Sequence, residues 1–120
     1  MSDIIVFVQS FRLGTQIAEV LARFEFSVDF PETVEALVAE VSNNTRLIIL
    51  DLDEEKEANF ELIAQIRKIA PDVPIAGFLA QIRKADHDAA KVAGCHWIFT
   101  RSSFVQNLKS LLIHGLPEQE

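Results

Sequence analysis

The stretch TRLIILDLDEEKEANFELIAQIRK (residues 45–68) decides how the rest of the chain is read. Leu47–Leu50 is apolar throughout, has the length of a strand, and runs straight into a carboxylate, Asp51. A short run with no polar alternation suits a strand covered on both faces, since neither side meets water. Asp53, Glu54, Glu55 and Glu57 follow, and Phe60, Ile63 and Ile66 then recur at helical spacing until Pro71-Asp72 stops the helix. The unit is strand, acidic loop, helix, with Asp51 at the junction.

The same unit recurs on both sides. Ile4–Val8 is a second apolar, β-branched run, and Leu13, Ile17, Val20, Leu21 and Phe24 mark the helix after it. A brief strand at Phe26–Phe30 is closed by Pro31, and Val34, Leu37, Val38 and Val41 form the next helix face, which runs out at Ser42-Asn43-Asn44. Towards the C-terminus, Val73–Ala80 reads as a strand with Pro74 tolerated near its start. An alanine-rich helix over 83–93 stops at Gly94, His96–Thr100 is the fifth strand, and Phe104, Leu108, Leu111 and Leu112 mark a closing helix. Five βα units predict an open parallel sheet with helices on both faces, built with right-handed crossovers. Ligand sites in such sheets lie at the carboxyl ends of the strands, which gathers Gln9, Ser10, Asp51, Leu79, Ala80 and Arg101 on one rim.

Bulk composition narrows the function classes. With 120 residues, 49% hydrophobic and 24% charged, the chain reads as one globular domain with a substantial core. A net charge of −7, with no dense run among its eleven basic residues, argues against a direct nucleic-acid surface. The lone Cys95 makes no internal disulfide, no apolar run reaches the roughly 20 residues of a membrane span, and no signal-peptide pattern is seen. The expected location is the cytoplasm. Residues 1–115 are expected to form the domain, with 116–120 a tail or the start of a linker.

Three ordered segments carry a resemblance. LIILDLDEEKEANFELIAQIR, VPIAGFLA and AGCHWIFTRSSF together look like the receiver domain of two-component response regulators, over residues 3 to about 114. The resemblance implies the flavodoxin-like, CheY-like (βα)5 fold with strand order 2-1-3-4-5. It implies a signal-transduction role in a phosphorelay, in some members as the regulatory part of a transcription regulator. It puts Asp51 at the phosphoacceptor position. It also implies that the fourth helix, fifth strand and fifth helix form the face used for protein partners or a homodimer, with Trp97 and Ile98 as candidates there.

Against that pattern the site residues differ. The acidic pair that normally holds Mg²⁺ after the first strand is matched by Gln9 and Ser10. Magnesium is carried mainly by anionic oxygens, so Asp51 alone is a poor ligand set, and Asp53 lies on the other side of the expected ion. Leu79 stands where the family has a Thr or Ser hydroxyl, and a leucine donates no hydrogen bond. Ile98 replaces the aromatic switch residue. Arg101 replaces the Lys that pairs with the acceptor; it keeps the charge but presents a planar fork rather than a compact ammonium. Ser102 replaces the following Pro, which removes the usual reason for a cis peptide. The Pro-Gly turn after the acceptor is Glu55-Lys56, and a later Gly is Asn59, a residue that tolerates the left-handed conformation.

These substitutions describe a pseudo-receiver. The expectation is an Asp51–Arg101 ion pair, no cofactor, little Mg²⁺ binding, no catalysis, and action through protein contacts. A working phosphoacceptor at Asp51 is the alternative. A small-ligand or flavin-binding protein is a second one, although QSFRLGT is a poor phosphate loop and Gly14 stands alone where a dinucleotide site wants GxGxxG. Trp97 reads either as core packing or as an interface anchor. Cys95 reads as a small buried apolar group, and His87, His96 and His114 have no metal-ligand spacing with it.

Overall fold

The computed structural model describes residues 3–8, 11–52, 56–81 and 83–114. Its strands are β1 (Ile4–Phe7), β2 (Val28–Asp29), β3 (Leu47–Asp51), β4 (Ile75–Leu79) and β5 (Trp97–Thr100). They alternate with α1 (Phe11–Leu21), α2 (Val34–Glu40), α3 (Lys56–Ile69), α4 (Lys84–Ala93) and α5 (Arg101–His114). All pairings are parallel and the order is β2-β1-β3-β4-β5, as the sequence predicts.

Side-chain parity divides the core into two layers. Ile5, Phe7, Ile48, Leu50, Ile75 and Leu79 face α2, α3 and α4. Ile4, Val6, Leu47, Ile49, Ala76 and Phe78 face α1 and α5. Both layers are dry, so β1, β3 and β4 are fully buried, whereas the edge strand β5 is half-buried along its length. Asp51 continues the Leu47–Ile49 parity and therefore points to the α1–α5 side.

Strands β1, β4 and β5 are each shorter than the expected Ile4–Val8, Val73–Ala80 and His96–Thr100, and three further boundaries differ for a physical reason. β2 is two residues long rather than Phe26–Phe30, because the Asp3 carboxylate takes the Ser27 N–H at 3.2 Å where a ladder bond would continue. α3 starts at Lys56, ahead of its first apolar marker Phe60, in an acid-rich segment that suits a helix N-terminus. Asn59 consequently lies inside this helix and not in a left-handed turn. α5 follows β5 without a linker: Arg101 is its first residue, and the Thr100 hydroxyl meets Ser103 Oγ at 2.7 Å. No cis peptide occurs among the described residues.

At the opposite end of the sheet, Arg67 ties α3 to the α4–β5 turn. Its guanidinium donates to the carbonyls of Gly94, Val73, Ala70 and Pro71 and to His96 Nδ1 at 3.0 Å. Gly94, with φ +126°, lets the turn pass where a Cβ would press on that side chain.

Candidate functional site

Asp51 ends β3 opposite Phe78, and its side chain is almost wholly withdrawn from water. Arg101 closes over it from the first turn of α5, with Nη2 donating to Asp51 Oδ2 at 2.7 Å. The same guanidinium lies over the Phe78 ring, 5.4 Å from its centroid. Phe78 packs in turn on Phe104 of α5 at 4.8 Å, and Phe104 lies 5.9 Å from Phe99 of β5. One charge pair thus rests on an aromatic base that joins β4, β5 and α5.

Two contributors escape a reading of motifs. Asn59 is buried, and its Nδ2 donates to the Asp51 carbonyl at 3.0 Å, which ties the main chain at Asp51 to α3. The signal was available: Asn59 shares the phase of Leu62, Ile63 and Ile66, so it had to face the sheet. Phe78 carried no polar signal at all. Its role as a platform follows from the β3–β4 register, which places it level with Asp51.

The other predicted rim residues separate. Leu79 is fully buried in the layer facing α3 and α4, on the opposite side of the sheet from the Asp51 carboxylate. Ser102 is exposed in the first turn of α5, its hydroxyl 3.3 Å from that of Thr100. Trp97 is half-buried, packed on the α1–α5 layer and 5.7 Å from the His96 ring, while Ile98 is half-buried towards the α3–α4 layer. Trp97 therefore combines partial core packing with exposure at an edge strand. Gln9, Ser10 and Asp53 lie outside the described residues, as do the 116–120 tail and Gly115.

Among the described residues no group of three His, Cys, Asp or Glu side chains is arranged to hold a metal ion. A divalent cation at Asp51 would have to share the carboxylate with the Arg101 guanidinium, a fixed positive charge already bonded to Oδ2. Cys95 is buried beside Arg67; loss of hydration pushes its thiol up to about 11, against the pull of the Arg67 and Lys91 charges, which disfavours the reactive thiolate.

No protein-family model matches the sequence, and no curated protein matches it either. Solved structures do match in fold. A response regulator from Hahella chejuensis superposes with a TM-score of 0.76 at 20% identity, over 91% of this chain and 93% of that one. A Burkholderia pseudomallei response regulator, solved with a phosphorylated aspartic acid, a calcium ion and citrate, gives 0.72 at 16% identity over 88% of this chain. This chain spans 64% of that protein's length. The phosphorylated cyanobacterial phytochrome response regulator RcpA gives 0.73 at 21% identity, over 98% and 100% of the two chains. The structural neighbours are response-regulator receiver domains, and the five-stranded α/β fold with order 2-1-3-4-5 is theirs. Among the described residues no helix is long and apolar enough to cross a membrane.

Proposed function

We propose that this chain is a receiver-like signalling module that works without phosphorylation and communicates through protein–protein or dimer contacts. The observation that carries the reading is Arg101 seated on Asp51 Oδ2 at 2.7 Å, with its charge further held by the Phe78 ring. Phosphoryl transfer needs a free, in-line carboxylate oxygen and a cation to gather the negative charge that develops. Here one carboxylate oxygen, Oδ2, is held by a guanidinium, the position of the reporting hydroxyl is the buried Leu79, and the positions of the family's acidic pair hold the neutral Gln9 and Ser10. In this reading the protein is not an enzyme, takes no cofactor, binds Mg²⁺ weakly, and contacts neither nucleic acid nor membrane directly. Its partner face is α4, β5 and α5, where Val92 is exposed and Trp97 and Ile98 are half-buried on the open edge of the sheet.

A genuine phosphoacceptor is the second reading, favoured by the survival of an aspartate at the end of β3 in a fold whose neighbours include two phosphorylated regulators. Intact mass after incubation with acetyl phosphate and Mg²⁺, beside the Asp51→Asn variant, separates the two. The module reading expects no added phosphoryl group on the folded protein. A metal-dependent gain of one group, absent from the variant, would replace it with the phosphoacceptor reading.

A further inference from the structure

On the β2 edge of the sheet, away from β5 and its flanking helices, an open groove of about 500 Å³ runs between α1 and the β2–α2 connection. Phe11, Gly14 and Ala18 form one wall, Phe30, Pro31 and Glu32 the other, and the end of β1 is the floor. The helix lies close to the strand here because residue 14 has no side chain: a Cβ would already stand 3.4 Å from Val8 Cγ2. Phe11 is 90% exposed and Phe30 42%, so two aromatic rings face water at one groove. Phe11 and Phe30 both line this concave surface, and exposed aromatic rings at a groove are what a binding surface offers to a partner.

Charge decides what kind of partner. Between Arg23 and Arg46 the chain carries Glu25, Asp29, Glu32, Glu35 and Glu40 and not one Lys, Arg or His. That segment holds the whole second wall, on which Glu32 is exposed. The one basic residue of α1 lies on another stripe of the helix: Arg12 shares the phase of Gln16, Glu19 and Arg23, which line the cleft against α5. The groove thus has an apolar floor and a negative rim with no neighbouring cation of its own wall to neutralise it.

The geometry points to a docking site for a cationic segment of another protein, one apolar side chain inserted into the groove lined by Phe11 and Phe30 with adjacent Lys or Arg residues against Glu32. Desolvation of the two rings supplies the attraction, and the negative rim selects the partner and speeds encounter. The site is independent of the state of Asp51 and of the α4–β5–α5 face on the far edge. It stands or falls separately from the phosphorylation reading.

The test is an amide-resolved NMR titration of the full chain with two blocked tetrapeptides, Lys-Lys-Phe-Lys and Glu-Glu-Phe-Glu. Saturable shifts centred on Phe11, Gly14, Ala18 and Phe30 are expected with the basic peptide, with affinity about tenfold weaker for the acidic one and weakened by salt. Ala18→Trp should block the shifts, and Glu32→Lys should remove the preference for the basic peptide; each variant's own spectrum confirms that it is folded. Equal response to the two peptides, or no response to either at millimolar concentration, overturns the proposal. So does a shift of the same amides with protein concentration alone, which would make a second copy of this chain the occupant.

Discussion

The Asp51 side chain is 2% exposed and that of Arg101 is 36% exposed, so the two members of the pair lose different things when the other is removed. Replacing Asp51 with Asn leaves a guanidinium that can still reach water and keeps its Phe78 platform; the expected cost is about 1 kcal/mol. Replacing Arg101 with Met keeps most of the apolar stem but takes the guanidinium away from a buried carboxylate, for an expected cost of about 3 kcal/mol. The double variant should recover much of that loss, because neither charge is then left alone. Urea denaturation of the four proteins measures the cycle. Equal losses in the two single variants would mean that Asp51 is better hydrated than its burial indicates, and the ion pair would lose its claim to occupy the site.

Elements are held in register by two unlike devices at the two ends of the sheet. Near the Asp51 end, Gly77 of β4 leaves room for Leu52, the residue that follows Asp51: a Cβ at Gly77 would overlap Leu52 Cδ1 and sit 3.4 Å from Cys95 Sγ. Leu52 is fully buried and has nowhere to retreat. Gly77→Ala is therefore expected to cost about 1–3 kcal/mol through overpacking, although alanine is otherwise the better strand residue. At the other end, Arg67 joins α3 to β5 through carbonyls and His96. His96 is exposed as a residue, but its Nδ1 edge turns inward to accept from Arg67 Nη2 at 3.0 Å, with the Ile75 N–H at 3.4 Å. Desolvation of that edge, with the Arg67 and Lys91 charges, lowers its pKa below the ordinary 6.5, and Asp72 opposes the shift. The unfolded chain then binds more protons than the folded one as pH falls through 6.5 towards the folded pKa, so stability should fall across that window and be fully present above it. Thermal melts from pH 7.5 to 5.5 on the native chain and on His96→Gln test this: the slope should flatten in the variant, and an unchanged slope would assign the pH dependence to other groups.

For the whole molecule, the arrangement predicts indifference to Mg²⁺. A ligand stabilises a fold only as far as it prefers the folded state. With Arg101 on Asp51 and no described group of three ligands beside it, millimolar Mg²⁺ is expected to leave the melting temperature unchanged in the native chain and in Arg101→Met alike. A rise in the native chain would show that the guanidinium yields to the ion. The two open edges of the sheet also divide the surface: β5, α4 and α5 on one side, the acid-rimmed groove beside β2 on the other. A five-stranded sheet sealed on both faces has its edges left for contact with others.

Much of this was legible in the chain alone. Continuous apolar runs such as Leu47–Leu50 alternating with helical periodicity imply a parallel sheet covered on both sides, because burial on two faces forbids polar alternation. Parallel strands bring their carboxyl ends together, so Asp51, Leu79 and Arg101 were expected on one rim; Asp51 and Arg101 meet there, while the Leu79 side chain enters the opposite layer. What the sequence could not determine depends on register and packing. Only the pairing of Asp51 with Phe78 puts an aromatic ring under Arg101, only the parity of β3 and β4 sends Asp51 and Leu79 to opposite faces, and only helix phase brings Asn59 to the Asp51 carbonyl. Local pattern follows from each residue's own hydration and propensity; which side chains meet is a property of how separate segments close-pack, and no single segment contains it.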